Sequence, residues 1–71
     1  MKPGDRVHYK PRMENGIIKE IHPDGDKAWV VYHCAGEWDH YYKYTGVLTG
    51  FKDLRMGWVS PIEPETKFSY N

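Results

Sequence analysis

The stretch IIKEIHPDGDKAWVVYHC (17–34) decides the fold of this chain. Its centre, HPDGDK (22–27), is a turn signal, because Pro23 pre-sets one backbone dihedral and Asp-Gly readily adopts the left-handed conformation. The turn separates two β-rich runs, IIKEI (17–21) and AWVVYHC (28–34). The sequence therefore predicts an antiparallel hairpin.

Side chains of AWVVYHC alternate between two faces, because a strand has a two-residue period. One set is the more uniformly small and apolar, and it consists of Ala28, Val30, Tyr32 and Cys34. We assign that set to the core. The other set, which points the opposite way, consists of Trp29, Val31 and His33, and Trp29 and His33 are then expected on the outer face.

Upstream of the hairpin, the turn Pro3-Gly4-Asp5 precedes a predicted strand at 6–9, with Val7 and Tyr9 on one face. Pro11 cannot donate a ladder hydrogen bond, so it ends that strand or marks an edge. PRMENG (11–16) is then a predicted loop, in which Gly16 supplies a turn or a bulge.

Downstream, the ring spacing in 37–44 fits one or two helical turns or an irregular insert. TGVLTG (45–50) is predicted as a strand with Val47 and Thr49 on one face, FKDL (51–54) as a short turn or 3₁₀ step, and RMGWV (55–59) as the closing strand. The prediction is a mainly all-β domain of five short strands over residues 1–60. A C-terminal tail (61–71) follows, whose Phe68 and Tyr70 could dock on a neighbouring subunit.

The chain is short and electrically balanced. A domain of 71 residues buries only part of its surface and gains from an extra staple. Cys34 is the only cysteine, so an internal disulfide is excluded and oligomerisation is the remaining suggestion. Ten basic and ten acidic side chains argue against a generic nucleic-acid binder, which is normally basic.

No run approaches the ~20 apolar residues of a membrane span. The first residues, MKPGDRVHY, contain no apolar signal-peptide core. A lone cysteine also suits a reducing compartment. We therefore expect a soluble, cytoplasmic protein without a membrane partner.

The sequence contains no recognisable catalytic or metal-binding pattern. His33, Cys34 and His40 do not follow the usual ligand spacings of zinc sites. No histidine is placed to activate the thiol, and no glycine-rich phosphate loop is present. We expect a protein that is not an enzyme and needs neither a metal nor a cofactor.

The chain is rich in large rings, with six Tyr, three Trp and two Phe. Such rings can close the core and a subunit interface, because each buries ~150–250 Å². Alternatively, some of them stack on a flat ligand, which is worth ~1–3 kcal/mol per base. Basic residues near the rings could then hold phosphates, and Thr45 and Thr49 could supply hydroxyl groups.

Four motifs occur in an order that resembles SH3-like barrels of the KOW and Tudor type: Gly-Asp-Arg-Val (4–7), Gly-Ile-Ile-Lys-Glu-Ile (16–21), Trp-Val-Val-Tyr (29–32) and Asp-Leu-Arg (53–55). In those barrels a Gly-Asp-x-Val strand comes first, and a turn carrying Asp-Leu precedes the last strand. The resemblance covers about residues 3–59 and implies a small, partly open five-stranded barrel. The aromatic stretch 37–44 is an insert relative to a minimal barrel.

A second resemblance covers about residues 30–58. The run Val-Val-Tyr-His-Cys, Trp38-Asp39, Tyr41, Tyr44-Thr45-Gly46, Thr49, Asp53-Leu54 and Gly57-Trp58 is similar to small proteins carried by bacteriophages and prophages. We connect these with the phage anti-CBASS sponges, which bind cyclic nucleotide immune signals without cleaving them. The resemblance implies a homo-oligomer, with a tetramer favoured, that holds cyclic dinucleotides such as 3′,3′-cGAMP in the host cytoplasm.

Our leading interpretation is a non-enzymatic nucleotide binder with its pocket at or near a subunit interface. Trp38 and Tyr41 would stack on bases, and Thr45 would hydrogen-bond a base edge or phosphate. Phosphates would meet basic side chains. The predicted ligand-binding residues are Arg12, Trp38, Tyr41, Lys43, Tyr44, Thr45 and Arg55.

Two alternatives stay open. A KOW- or Tudor-like adaptor would bind RNA or a protein, for example a methylated side chain in an aromatic cage paired with Asp39. A structural subunit would use its rings only to hold an oligomer together.

Overall fold

The computed structural model describes residues 1–59, which form one five-stranded antiparallel sheet. Its strands are β1 (Arg6–Tyr9), β2 (Glu14–Ile21), β3 (Lys27–Val31), β4 (Val47–Gly50) and β5 (Leu54–Met56). Short 3₁₀ segments lie at Lys10–Arg12, Trp38–Lys43 and Phe51–Asp53. The mainly all-β class is confirmed.

The strand order in the sheet is β4-β3-β2-β1-β5. The first four strands form a meander, and β5 returns to pair with β1, where Tyr9 lies opposite Leu54. Within residues 1–59 the sheet is open, with β4 and β5 as its edges. The first and last strands, β1 and β5, thereby lie next to each other on the β2 side of the central hairpin.

The predicted hairpin is confirmed. β2 and β3 pair antiparallel across the turn, with Ile17 opposite Val31 and Ile21 opposite Ala28. The register shifts between Ile18 and Glu20, which places a bulge inside β2. The bulge therefore lies further along the strand than Gly16, where the sequence suggested a turn or a bulge.

Gly16 is instead a packing position inside β2, opposite Val7 of β1. A Cβ atom at this position would lie 2.7 Å from Val30 Cγ1 and 2.8 Å from the Val31 carbonyl oxygen. Only glycine lets the strands and side chains approach this closely.

The core lies on one face of the sheet, which we call the core face. Its centre consists of Val7, Ile18, Ala28, Val30 and Leu54. Partly buried side chains surround them: Tyr9, Ile21, Tyr32 and Phe51. Burial of each large aliphatic side chain contributes ~1.5–3 kcal/mol, so this cluster is the main source of stability.

The opposite face, which we call the second face, is also covered. Val31 is 0 % exposed, although it points to the face on which Trp29 and His33 were expected to lie in the open. The 3₁₀ segment Trp38–Lys43 packs against β2, and the Trp58 indole N–H donates to the Gly16 carbonyl oxygen of the same strand. Later segments therefore cover this face of the sheet at β2, and in β3 Val31 is buried and Trp29 half-buried.

Three predicted boundaries are corrected. β2 begins at Glu14, inside the predicted loop 11–16, because Met13 takes a positive φ of 53° and turns the chain at once. β3 ends at Val31, and Ala35 and Gly36 then turn the chain through positive φ angles. The closing strand is 54–56 rather than 55–59, and Gly57, with φ 85°, follows it.

In the described part of the chain, no helix has the length and apolar character needed to cross a membrane. The predicted tail (61–71), with Phe68 and Tyr70, lies outside the described residues.

Candidate functional site

A groove of about 460 Å³ opens between β4 and the chain around the ends of β1 and β3, and we call it the Tyr9–Tyr32 groove. Its lining combines rings, hydroxyls, apolar side chains and charges of both signs. The lining residues are Tyr9, Arg12, Glu14, Tyr32, His33, Val47, Leu48, Thr49, Gly50 and Asp53. Its volume lies in the range of ~300–1,000 Å³ that is usual for small-molecule sites.

Two half-buried tyrosines form the aromatic wall. The Tyr9 and Tyr32 ring centroids are 5.8 Å apart and their planes are tilted by 57°. Tyr9 is the last residue of β1, and Tyr32 directly follows β3. Strand pairing through β2 therefore brings together two rings that lie far apart in the sequence.

A short hydrogen-bond chain fixes the Tyr32 ring. Thr49 donates its hydroxyl hydrogen to the Val47 carbonyl oxygen at 3.0 Å. Tyr32 must therefore be the donor of the 2.9 Å hydrogen bond between its hydroxyl and Thr49 Oγ1. Burial raises the pKa of Tyr32, so the ring meets a ligand as a neutral phenol.

Charged groups surround the rings. Glu14 Oε2 lies 3.8 Å from His33 Nε2, and Asp53 adds a second carboxylate to the lining. Arg12 is exposed and makes no ion pair within residues 1–59. Its guanidinium group can therefore meet an incoming anion, while the carboxylates favour a cation.

The aromatic segment (37–44) is held by contacts with distant parts of the chain and by one side-chain hydrogen bond of its own. The Trp38 and Trp58 ring centroids are 4.9 Å apart in an edge-to-face arrangement, and the Arg6 guanidinium lies 4.5 Å from the centre of the Trp58 ring. The Tyr44 hydroxyl donates to Glu37 Oε1 at 2.7 Å, which raises the pKa of that hydroxyl. These contacts stabilise the segment on the second face.

A shallower hollow of about 310 Å³ lies beside Trp38 and is lined by residues 36–40. Its lining includes the carboxylates of Glu37 and Asp39 and the imidazole of His40. The two carboxylates here face no Lys or Arg in the lining, whereas Arg12 offsets Glu14 and Asp53 in the Tyr9–Tyr32 groove, so this hollow suits a phosphate less well.

The predicted ligand-binding residues lie in three places. Arg12 lines the Tyr9–Tyr32 groove. Arg55 is exposed on β5, opposite His8 of β1. The remaining five belong to the aromatic segment or directly follow it: Trp38, Tyr41, Lys43, Tyr44 and Thr45. The ligand-binding role of all seven stays a prediction.

Sequence reasoning left Tyr9 and Tyr32 out of the candidate site. Their alternation with Val7 and Val30 placed both on the core face, and they do pack against the core. The missed signal is their position at strand ends, where a ring can contact the core with one face and a groove with the other.

Within residues 1–59, no group of three or more His, Cys, Asp and Glu side chains could hold a metal ion. The Cys34 thiol is buried.

Comparison with known proteins adds no identification. No family model matches the chain, and no curated protein or solved structure gives a significant match.

Proposed function

We propose that this chain is a non-enzymatic protein that binds and sequesters a small nucleotide, most specifically a cyclic dinucleotide such as 3′,3′-cGAMP. It would act as a phage-encoded immune-evasion sponge in the host cytoplasm. A sponge needs no reaction, because it works by holding the signal in excess.

The observation that supports this function best is the make-up of the Tyr9–Tyr32 groove. Tyrosine rings offer stacking surfaces, Arg12 offers an unpaired planar guanidinium, and exposed Val47 adds apolar contact. Together these groups could bind a base and a phosphate. The aromatic segment would form a separate contact surface on the second face, with Trp38 and Tyr41 stacking on bases and Lys43 meeting phosphate.

We further propose that the open sheet is a partly open SH3-like barrel. Two features support this. The 3₁₀ segment Phe51–Asp53 directly precedes β5, as the Asp-Leu turn does in that family, and β5 returns to β1. The homo-oligomer, with a tetramer favoured, would place several grooves on one particle.

The test is thermal stability of the purified protein against a panel of cyclic di- and trinucleotides at two salt concentrations. A ligand that binds the folded state raises stability by ~2.7 kcal/mol at a hundred times its dissociation constant. In so small a domain this shifts Tm by about 10 °C or more. Recovery of intact nucleotide from the heated complex would support a sponge. If no nucleotide of the panel raises Tm, the proposal is refuted.

A second function is favoured by Glu14 and Asp53, which line the same groove as the tyrosines. Rings with nearby carboxylates suit a cationic side chain, such as a methylated lysine or an arginine of a partner protein. The chain would then be an adaptor module of the KOW or Tudor type.

Two substitutions at exposed or half-exposed groove positions separate these functions. Arg12→Gln should weaken nucleotide binding and leave or improve binding of a trimethyl-lysine peptide. Glu14→Gln should do the reverse. Isothermal titration with both ligands measures this. If neither variant changes either affinity, the groove is not the site of either ligand.

A further inference from the structure

The free edge of β4 differs from the other edge of the sheet. β4 lies in the stretch TGVLTG (45–50), which has no charged residue and no proline. β5 at the opposite edge carries Arg55 and directly follows Lys52 and Asp53. Natural sheets protect exposed edges with charges, prolines or bulges, because an unprotected edge pairs with another strand.

β4 also has the geometry of a strand that can pair again. Its pairing with β3 is regular from Val30 opposite Val47 to Lys27 opposite Gly50. The register has no bulge that would twist the edge away from a partner. Within residues 1–59, β4 pairs with β3 only. Its outward-facing amide and carbonyl groups are therefore available to a second strand.

The side chains at this edge are apolar and exposed. Val47 is 55 % exposed and Leu48 is 47 % exposed. They lie on opposite faces of β4, since neighbouring residues of a strand alternate. A strand added to this edge would therefore cover apolar surface on both faces of the sheet.

We propose that β4 pairs antiparallel with β4 of a second copy of this chain, which joins the two sheets into one. The stretch 45–50 is uncharged, so the two copies of it can come together without electrostatic repulsion. The chain as a whole also has no net charge. An antiparallel pair of identical strands has a two-fold axis perpendicular to the sheet. This symmetry places Leu48 of both copies on the same face and near each other.

The pairing also affects the site. Residues 47–50 line the Tyr9–Tyr32 groove as well as forming the edge. The second copy would therefore form a wall beside each groove, and the two grooves would flank the two-fold axis. This inference deepens the homo-oligomer of the proposed function, but its test needs no ligand.

The first experiment measures the molar mass of the purified full chain by light scattering over a range of concentrations. The wild type should be a dimer or a larger even-numbered oligomer. Leu48→Lys should reduce the mass to that of a smaller species, because two like charges would face each other across the axis. Met56→Lys is the matched control on β5, since Met56 is 54 % exposed, and it should leave the mass unchanged.

A charge-pairing experiment makes the test specific for the two-fold arrangement. Measured separately, Leu48→Lys and Leu48→Glu should each lack the contact between the two β4 strands. A mixture of the two variants should form this contact again. Circular dichroism checks that each variant is folded. If Leu48→Lys does not fold, hydrogen exchange of the outward-facing wild-type β4 amides replaces it, with protection of these amides expected only at concentrations where the oligomer forms.

Three results would overturn the pairing: a wild type that is monomeric at every concentration, an oligomer that Leu48→Lys leaves intact, or equal dissociation by Met56→Lys. A protein that binds a cyclic nucleotide as a monomer would refute the pairing and leave the function standing. An oligomer that depends on Leu48 but binds no nucleotide would support the pairing and refute the nucleotide-binding function.

Discussion

The two faces of the sheet are covered in different ways. The core face is closed by aliphatic side chains from four of the strands, with Val7, Ile18 and Val30 all 0 % exposed. The second face is closed by directed hydrogen bonds and rings from the chain around residues 38–43 and 58–59. The core face gains its stability almost wholly from area removed from water, whereas the second face adds individual hydrogen bonds and ring contacts to the burial of Ile17 and Val31.

Asn15 is the centre of that second arrangement. Its side-chain amide donates to the Val59 carbonyl oxygen at 2.8 Å, and its oxygen accepts from the Val59 N–H at 3.1 Å. The same oxygen lies 2.8 Å from Nδ1 of His8, which is 5 % exposed. One side chain thus connects β1, β2 and the chain after β5.

The largest expected effect tests the core face. Ile18→Ala should lower the free energy of unfolding by ~2–5 kcal/mol, because it leaves a cavity among fully buried side chains. Urea denaturation measures the change. Glu20→Ala, at an exposed position of the same strand, is the control and should stay within about 0.5 kcal/mol of wild type. An Ile18→Ala protein as stable as the control would show that the core face is not the main source of stability.

The next effect tests the second face. Asn15→Ala should cost ~1–3 kcal/mol, because it removes both bonds to Val59 and the partner of the buried His8. Asn15→Asp keeps the acceptor for the Val59 N–H but loses the donor, so its stability should lie between those of wild type and Asn15→Ala. Denaturation followed by tryptophan fluorescence measures both, since Trp58 adjoins Val59. If Asn15→Ala loses no more stability than Glu20→Ala, the hydrogen bonds of Asn15 do not hold the second face.

The smallest expected change in stability concerns Tyr32, where the core face meets the Tyr9–Tyr32 groove, and it depends on pH. Tyr32→Phe removes the hydrogen bond to Thr49 and should cost ~0.5–1.5 kcal/mol at neutral pH. Burial raises the folded-state pKa of Tyr32, so the wild type loses stability as pH rises above the unfolded value of ~10. The Phe variant lacks this titration.

The stability gap between wild type and Tyr32→Phe should therefore narrow with rising pH. Denaturation midpoints on both sides of pH ~10 measure it. Tyr42→Phe is the control, because the Tyr42 ring is exposed and its variant should follow the wild-type pH dependence. A gap that widens in alkali would contradict the burial of the Tyr32 hydroxyl.

The fold was predictable wherever a local signal determines the backbone. HPDGDK (22–27) identifies the central hairpin because its turn chemistry is unambiguous, and β1 was found with its bounds. The start of β2 at Glu14 was not predictable, because Met13 makes the tight turn with a positive φ that usually belongs to glycine. Strand ends in this chain are set by such single residues.

The candidate site was less accessible to sequence reasoning. Alternation assigned Ala28 and Val30 correctly to the core face, but it could not show that Val31 is covered from the other side. That cover comes from residues much later in the chain. The Tyr9–Tyr32 groove likewise depends on strand register, which brings distant residues together, and Arg12 was the one predicted binding residue placed there.

The buried thiol of Cys34 has a practical consequence. It is 2 % exposed, and its carbonyl oxygen accepts the Glu37 N–H at 2.8 Å just before the aromatic segment. Since the chain has no other cysteine, a thiol reagent can modify the protein at this one position, and only while the surrounding chain is open. The rate at which the wild-type Cys34 thiol is labelled therefore measures how often the chain around it opens. No engineered cysteine is needed for this measurement.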